Sequence, residues 1–150
     1  MIILQKRVEK KDYYKKISLK NFACENISNF SLFELSEWYK FQSQIKKKKI
    51  KVALEINSSE YLDLQNLDTS NFNMIQINFE SFKDGRPFTI ARKLRKENRF
   101  KGEIRAAGNI LPDQFIFIIR SGFDTVRIPR EEKDIWLELL DIDTGLYYQP

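Results

Sequence analysis

From residue 50 onward the apolar and polar positions switch repeatedly between a period of two and a period near 3.6. Residues 50–56 read as a strand, and Asn57-Ser58-Ser59 as a turn capping a short helix through Leu64. Residues 74–79 form a second strand, with Ile75, Ile77 and Phe79 on one face. A helix over 88–98 follows, with Phe88, Ile90, Ala91 and Leu94 as its core contacts, and then a strand over 103–107. Pro112 opens a helix that runs to Ser121 and stops at Gly122. The pattern closes with a strand over 124–128 and a helix over 130–140 that carries Ile135, Trp136, Leu139 and Leu140. Strands alternating with helices of this length pair in parallel through right-handed crossovers. The expected fold class is α/β: a small parallel sheet of repeated βα units, either open and doubly wound or a partial barrel.

The first third is less regular. Residues 1–30 hold a short β-like run at 1–4, a polar Lys-rich stretch and an apolar run at 17–22, and read as an irregular or hairpin-like N-terminal extension. Ser31 is placed to cap a helix over 32–46, with Glu34 three positions later and Phe33, Trp38 and Phe41 among its apolar residues. Lys46–49 then falls at the carboxyl end, where cations suit the helix dipole. A length of 150 residues is that of one domain with one core. Residues 1–150 are therefore read as a single α/β domain: 1–49 the extension and helix, 50–150 the βα-repeat core.

Composition removes whole classes of chemistry. The chain has one Cys, Cys24, and no His. Those counts exclude an intramolecular disulfide, four-thiolate iron–sulfur ligation, a Cys/His zinc site, His-ligated haem and a Ser-His-Asp triad. No apolar run approaches the roughly 20 residues of a membrane span. The opening Met1-Ile2-Ile3-Leu4-Gln5-Lys6-Arg7 has the wrong order for a signal peptide. A cytoplasmic protein is expected. The net charge of +5 is uneven, with 13 basic against 5 acidic residues over 1–51 and 1 against 6 over the last twenty. A Lys-rich surface that favours solubility is the simpler reading, and a charged partner or polyanion the other.

In a parallel sheet the loops after the strands share one edge, where α/β proteins place their ligands. Here those loops deliver Asn57, Ser58 and Ser59, then Lys83, Asp84, Gly85 and Arg86, then Gly108 and Asn109, and later Arg130. Arg86 offers a planar fork for an oxyanion, and Gly85 and Gly108 would let the backbone turn tightly. Asp84, Gly85, Arg86, Arg105, Gly108, Asn109, Asp113 and Gln114 are the candidate residues for binding a ligand or partner. Ordinary roles compete: Asp84-Gly85 is a common turn pair, Arg86 can bridge to Asp84 or Asp113, and Gln114 can cap a carbonyl. No G-x-G-x-x-G and no Walker-type loop is present, so no cofactor is expected, and with one Cys and no His no metal is expected either. Arg92, Arg95 and Arg99 recur at a spacing that would place three guanidinium groups on one helix face. A solvated outer face is the simpler reading, and no nucleic-acid partner is expected.

The run Phe79-Glu80-Ser81-Phe82-Lys83-Asp84-Gly85-Arg86, with Ala91 and Leu94-Arg95, resembles the signature of the bacterial domain of unknown function 934. Gly102-Glu103-Ile104-Arg105-Ala106-Ala107-Gly108-Asn109-Ile110-Leu111, then Asp113-Gln114, Gly122-Phe123-Asp124 and Tyr148-Gln149, continue it in order. The resemblance covers 72–128 well and the first seventy residues in outline. Where that family usually has Pro, Gly and Asp this chain has Glu80, Pro87 and Asn109, and Ser121 stands where Cys is frequent. Losing the Asp at Asn109 removes a carboxylate, and Ser121 means that no thiol is required there.

The resemblance implies a place in assimilatory sulfite reduction, since members of that family accompany sulfite reductase and carry an oxidoreductase label. With one Cys and no His, this chain cannot itself hold a siroheme–iron–sulfur centre. The resulting expectation is an accessory protein of assimilatory sulfate/sulfite reduction. It would assist or pass electrons to sulfite reductase or another sulfur-assimilation protein. The alternative is a small enzyme that binds a sulfur oxyanion or phosphorylated metabolite at the strand carboxyl ends, with Asp84 or Asp113 as base and Arg86 as clamp.

Overall fold

The structure, a computed structural model, describes residues 1–17, 27–64 and 66–147, the side chains of 61–63 and 143–147 excepted. Cys24, the terminal Tyr148-Gln149 and all but Ile17 of the 17–22 run lie outside the described residues.

Among the described residues a single sheet of eight strands organises the fold, in the order β2-β1-β8-β7-β6-β5-β4-β3. The strands are β1 (Ile2–Gln5), β2 (Val8–Lys10), β3 (Lys15–Lys16), β4 (Ser31–Glu34), β5 (Val52–Asn57), β6 (Met74–Phe79), β7 (Glu103–Gly108) and β8 (Thr125–Ile128). From β3 to β8 each neighbouring pair is parallel, whereas β1 pairs antiparallel with β8 and with β2. Helices α1 (Leu35–Lys47), α2 (Arg86–Lys96), α3 (Phe115–Arg120) and α4 (Lys133–Tyr147) follow β4, β6, β7 and β8, and a 3₁₀ helix, Ser58–Leu64, follows β5.

This order decides between the two expected architectures. Strands β4 to β8 lie side by side in chain order, so successive right-handed crossovers stack their helices on one face. The core bears this out: Trp38 of α1, Ala91 and Leu94 of α2, Ile118 of α3 and Trp136 of α4 pack in one cluster with Leu54, Ile56, Ile75, Ile77, Ile104 and Val126. A doubly wound sheet would divide its helices between faces. The fold is the partial barrel.

Two differences from the sequence reading have clear physical causes. Residues 1–16 join the sheet: the hairpin-like reading holds for β1 and β2, which pair antiparallel across Lys6-Arg7, and the irregular one does not. Ile2 and Leu4 join the core through β1, which pairs Ile2 with Ile128 and Leu4 with Val126. Ser31–Glu34 is a strand, not the first turn of α1. Its neighbours bury Leu32 on one side of the sheet and Phe33 on the other, and the Ser31 hydroxyl donates to Ser28 O at 2.7 Å. The capping box is therefore shifted by one turn: Glu34 is the N-cap, and its N–H donates to Glu37 Oε1 at 3.4 Å.

The sheet is strongly curled, and the connections require it. Only residues 11–14 join β2 to β3, at opposite edges of the sheet. A link of this length reaches about 17 Å when extended. Seven flat strand spacings would separate the edges by about 34 Å. The edges must approach one another, and the link crosses the concave side. Asp12 there reaches Arg105 of β7 at 3.1 Å, and Tyr14 packs against Leu32, Ala53 and Met74. This strap fills the amino-end half of the concave side.

Candidate functional site

The carboxyl-end rim forms as the sequence implies. Asp84 ends the loop after β6, where its carboxylate receives two hydrogen bonds from the Arg86 guanidinium, at 3.0 and 2.9 Å, and one from Arg86 N–H at 3.0 Å. Arg86 also lies 3.8 Å from Glu80, whose carboxylate accepts from the Ser59 hydroxyl at 2.7 Å and from Ser59 N–H at 3.2 Å. From the next strand, Asn109 Nδ2 donates to Glu80 O at 2.8 Å and Asn109 N–H to Phe79 O at 2.9 Å. Gln114 Nε2 donates to Phe82 O at 3.2 Å, while its carbonyl accepts from Leu111 N–H at 2.9 Å. The acidic–glycine–arginine turn and the Gly108-Asn109 bend thus share one rim, braced by two amide side chains.

The electrostatics of that rim are self-contained. The Arg86 guanidinium beside Asp84 holds its carboxyl down to about 2, and the buried Ser58 hydroxyl adds to this. Ser58 Oγ lies against the carboxylate without completing a well-directed hydrogen bond. A carboxylate so stabilised is a weak general base. Arg86 in turn commits the Nε and Nη2 edge of its fork to Asp84. Gly108 has φ +88, and a Cβ there would stand 2.7 Å from Phe79 O, so this position demands glycine. Gly85, at φ −89 and with nothing within 4 Å of an added Cβ, makes no such demand. Asp113 is exposed in the 3₁₀ turn Pro112–Gln114.

Arg105 does not join the rim. It lies within β7, only 3% exposed, and pairs with Asp12 at 3.1 Å and Glu103 at 3.1 Å, with the Tyr14 ring 5.6 Å away. Nor do Arg92, Arg95 and Arg99 share a face. Arg95 turns inward and donates to Gly122 O, Phe100 O and Gly102 O at 2.8–3.0 Å while pairing with Asp124. Arg92 lies over the Phe117 ring, and Arg99 follows the helix at φ 53.

Besides Arg105 and Asn57, the inward face of the strands carries polar residues that were not among the candidates. In register across five parallel strands stand Glu34, Glu55, Gln76, Arg105 and Thr125. One step nearer the carboxyl ends, Asn57 pairs with Asn78 and Asn78 with Ala107. Asn78 Nδ2 donates to Glu55 Oε1 and, at 3.2 Å, to Asn57 Oδ1, and its carbonyl accepts from Gln76 Nε2 at 3.2 Å. Lys16 stands 3.0 Å from both Glu34 and Glu55, and these contacts, Glu55 foremost, raise its pKa. Its contact with Glu55 Oε2 is an ion pair without hydrogen-bond geometry. The available signal was the alternation itself: when Ile75, Ile77 and Phe79 face the core, Gln76 and Asn78 face away from it.

Three large apolar side chains are exposed beside the rim: Phe82, Leu111 and Phe117. Gln114 links the first two through their backbones, and Phe117 lies one helical turn beyond it, in contact with Phe88 at 4.5 Å between ring centres. Lys83 and Arg92 are exposed cations beside them.

Among the described residues no helix is long and apolar enough to cross a membrane, and no group of three or more Asp, Glu, His or Cys is placed to hold a metal ion. The profile of the family described as "Bacterial protein of unknown function (DUF934)" matches residues 53–149, which take in β5 to β8 and the whole rim. No curated protein and no solved structure matches the chain.

Proposed function

The chain belongs to the DUF934 family, and from that premise we propose that it is a cytoplasmic accessory protein of assimilatory sulfate/sulfite reduction, docking on sulfite reductase or another protein of that route. The pathway comes from the likeness described at the outset; the docking role rests on the rim. The observation that carries it is the exposed group Phe82, Leu111 and Phe117 around the Gln114 brace, with Lys83 and Arg92 alongside. Exposed aromatic and arginine side chains on a braced loop are the usual anchors of a protein interface. The cations favour a partner whose apolar anchor is ringed by carboxylates.

A small enzyme using Asp84 as base and Arg86 as clamp is less well served, because those two groups satisfy each other. Deleting the gene tests the reading. Growth on sulfate should fail and recover with sulfide or cysteine, and the tagged protein should copurify with sulfite reductase. Normal growth on sulfate without copurification overturns it.

A further inference from the structure

We propose that the carboxyl-end half of the concave sheet face is a binding site for a small metabolite bearing an oxyanion, with Arg127 as its anchor. This inference is independent of the docking role. Arg127 lies on β8 between Val126 and Ile128, both of which face the core, so its side chain leaves from the concave side. The other partly or fully buried charges on that side are paired: Arg105 with Asp12 and Glu103, and Glu55 with Lys16. Partly buried Arg127 has neither an ion-pair nor a hydrogen-bond partner among the described residues. A guanidinium on a partly buried side chain with no carboxylate beside it is open to an anion, and its planar fork matches carboxylate, phosphate or sulfur oxyanions.

What lies beside it completes a site. The register pairing Ala106 with Val126 sets Ala107 next to Arg127, and Ala107 in turn pairs with Asn78. The smallest side chain of that row therefore separates the guanidinium from the amides of Asn78 and Asn57. Two strand spacings give about 10 Å between the Asn78 and Arg127 backbones. A small molecule lying over Ala107 would set its oxyanion on Arg127 and its hydroxyl or amino groups toward Asn57. Below it the strap closes the face, and Asn57 and Asn78 are reached by solvent from the carboxyl ends, where parallel sheets bind ligands.

Isothermal titration of the full chain with sulfite, sulfate, inorganic phosphate and succinate tests this and separates the sulfur, phosphate and carboxylate sources. At least one should bind saturably. Arg127→Gln should weaken it about tenfold or more, consistent with loss of a charge-assisted pair. Arg86→Ala and Phe117→Asp should leave it unchanged, which keeps this test apart from that of docking. Should Arg127→Gln fail to fold, Arg127→Lys keeps the stem and charge but loses the fork, and a severalfold weakening supports the site. Absence of binding by all four anions, wild-type affinity in the Arg127 variants, or loss of binding in Arg86→Ala each overturns the inference.

Discussion

At Asp84 the sequence allows a ligand-binding carboxylate and a turn that closes on its own arginine, and in the structure the carboxylate is paired with Arg86. Both readings start from the same three residues. Only the side-chain directions, which depend on how Gly85 hands the chain into α2, separate them. The closed pair makes a pH prediction. The carboxyl falls from an ordinary 3.8 to about 2 on folding. Its contribution to stability is therefore complete above pH 3.8 and lost as pH falls through 2. Urea unfolding from pH 5 to pH 2 should show a steeper loss in the wild type than in Asp84→Asn; equal slopes would refute the pairing. The two glycines of the rim make a matched test. Gly108→Ala combines a positive φ with a 2.7 Å contact to Phe79 O and should destabilise by about 2 kcal/mol or more. Gly85→Ala has open space and should stay within about 0.5 kcal/mol in the same denaturation assay. The sequence marks both glycines alike, and only the backbone separates them: Gly108 needs to be glycine, whereas Gly85 serves a turn before a helix that does not require it.

Among elements, β5 to β8 and their helices were legible because period and punctuation agree. Met74–Phe79 forms as read, and α2 is displaced by two residues toward Gly85. The start of α1 was not, since Ser31 and Glu34 fit the preferred capping pattern, yet the helix starts one turn later at the less favoured Glu34. Strand pairing on both sides of β4 decides between them, and that is a tertiary fact. Arg95 teaches the same lesson. Its spacing with Arg92 and Arg99 suggested an outer face, yet it binds three carbonyls and Asp124, tying the end of α2 to the entrances of β7 and β8. Arg95→Ala should lower stability by about 2–4 kcal/mol by urea unfolding, since several carbonyls lose a charged donor. Arg92→Ala should change it by no more than about 0.5 kcal/mol. Similar losses in the two variants would contradict this division of roles.

For the whole molecule, composition and alternation left the doubly wound sheet and the partial barrel equally open, because both are built from the same βα units. What separates them is strand order, which no local pattern encodes. The N-terminal residues contribute most here: β1 and β2 extend one edge, β3 the other, and the strap between them brings the edges together. Asp12→Ala, which removes one carboxylate from the buried Arg105, should cost about 1–3 kcal/mol in urea unfolding. A neutral result would mean that the strap does not hold the curl. The same curvature turns the inward strand residues into a polar face and leaves the rim, with its exposed aromatics, as the surface offered outward. The most direct measurement of that surface's role is the affinity of the purified protein for sulfite reductase, by biolayer interferometry, beside Phe82→Asp and Phe117→Asp. The account predicts specific binding that falls about tenfold or more in both variants while their circular dichroism stays that of the wild type. Absence of binding by the wild type, or equal affinity in all three proteins, would contradict it.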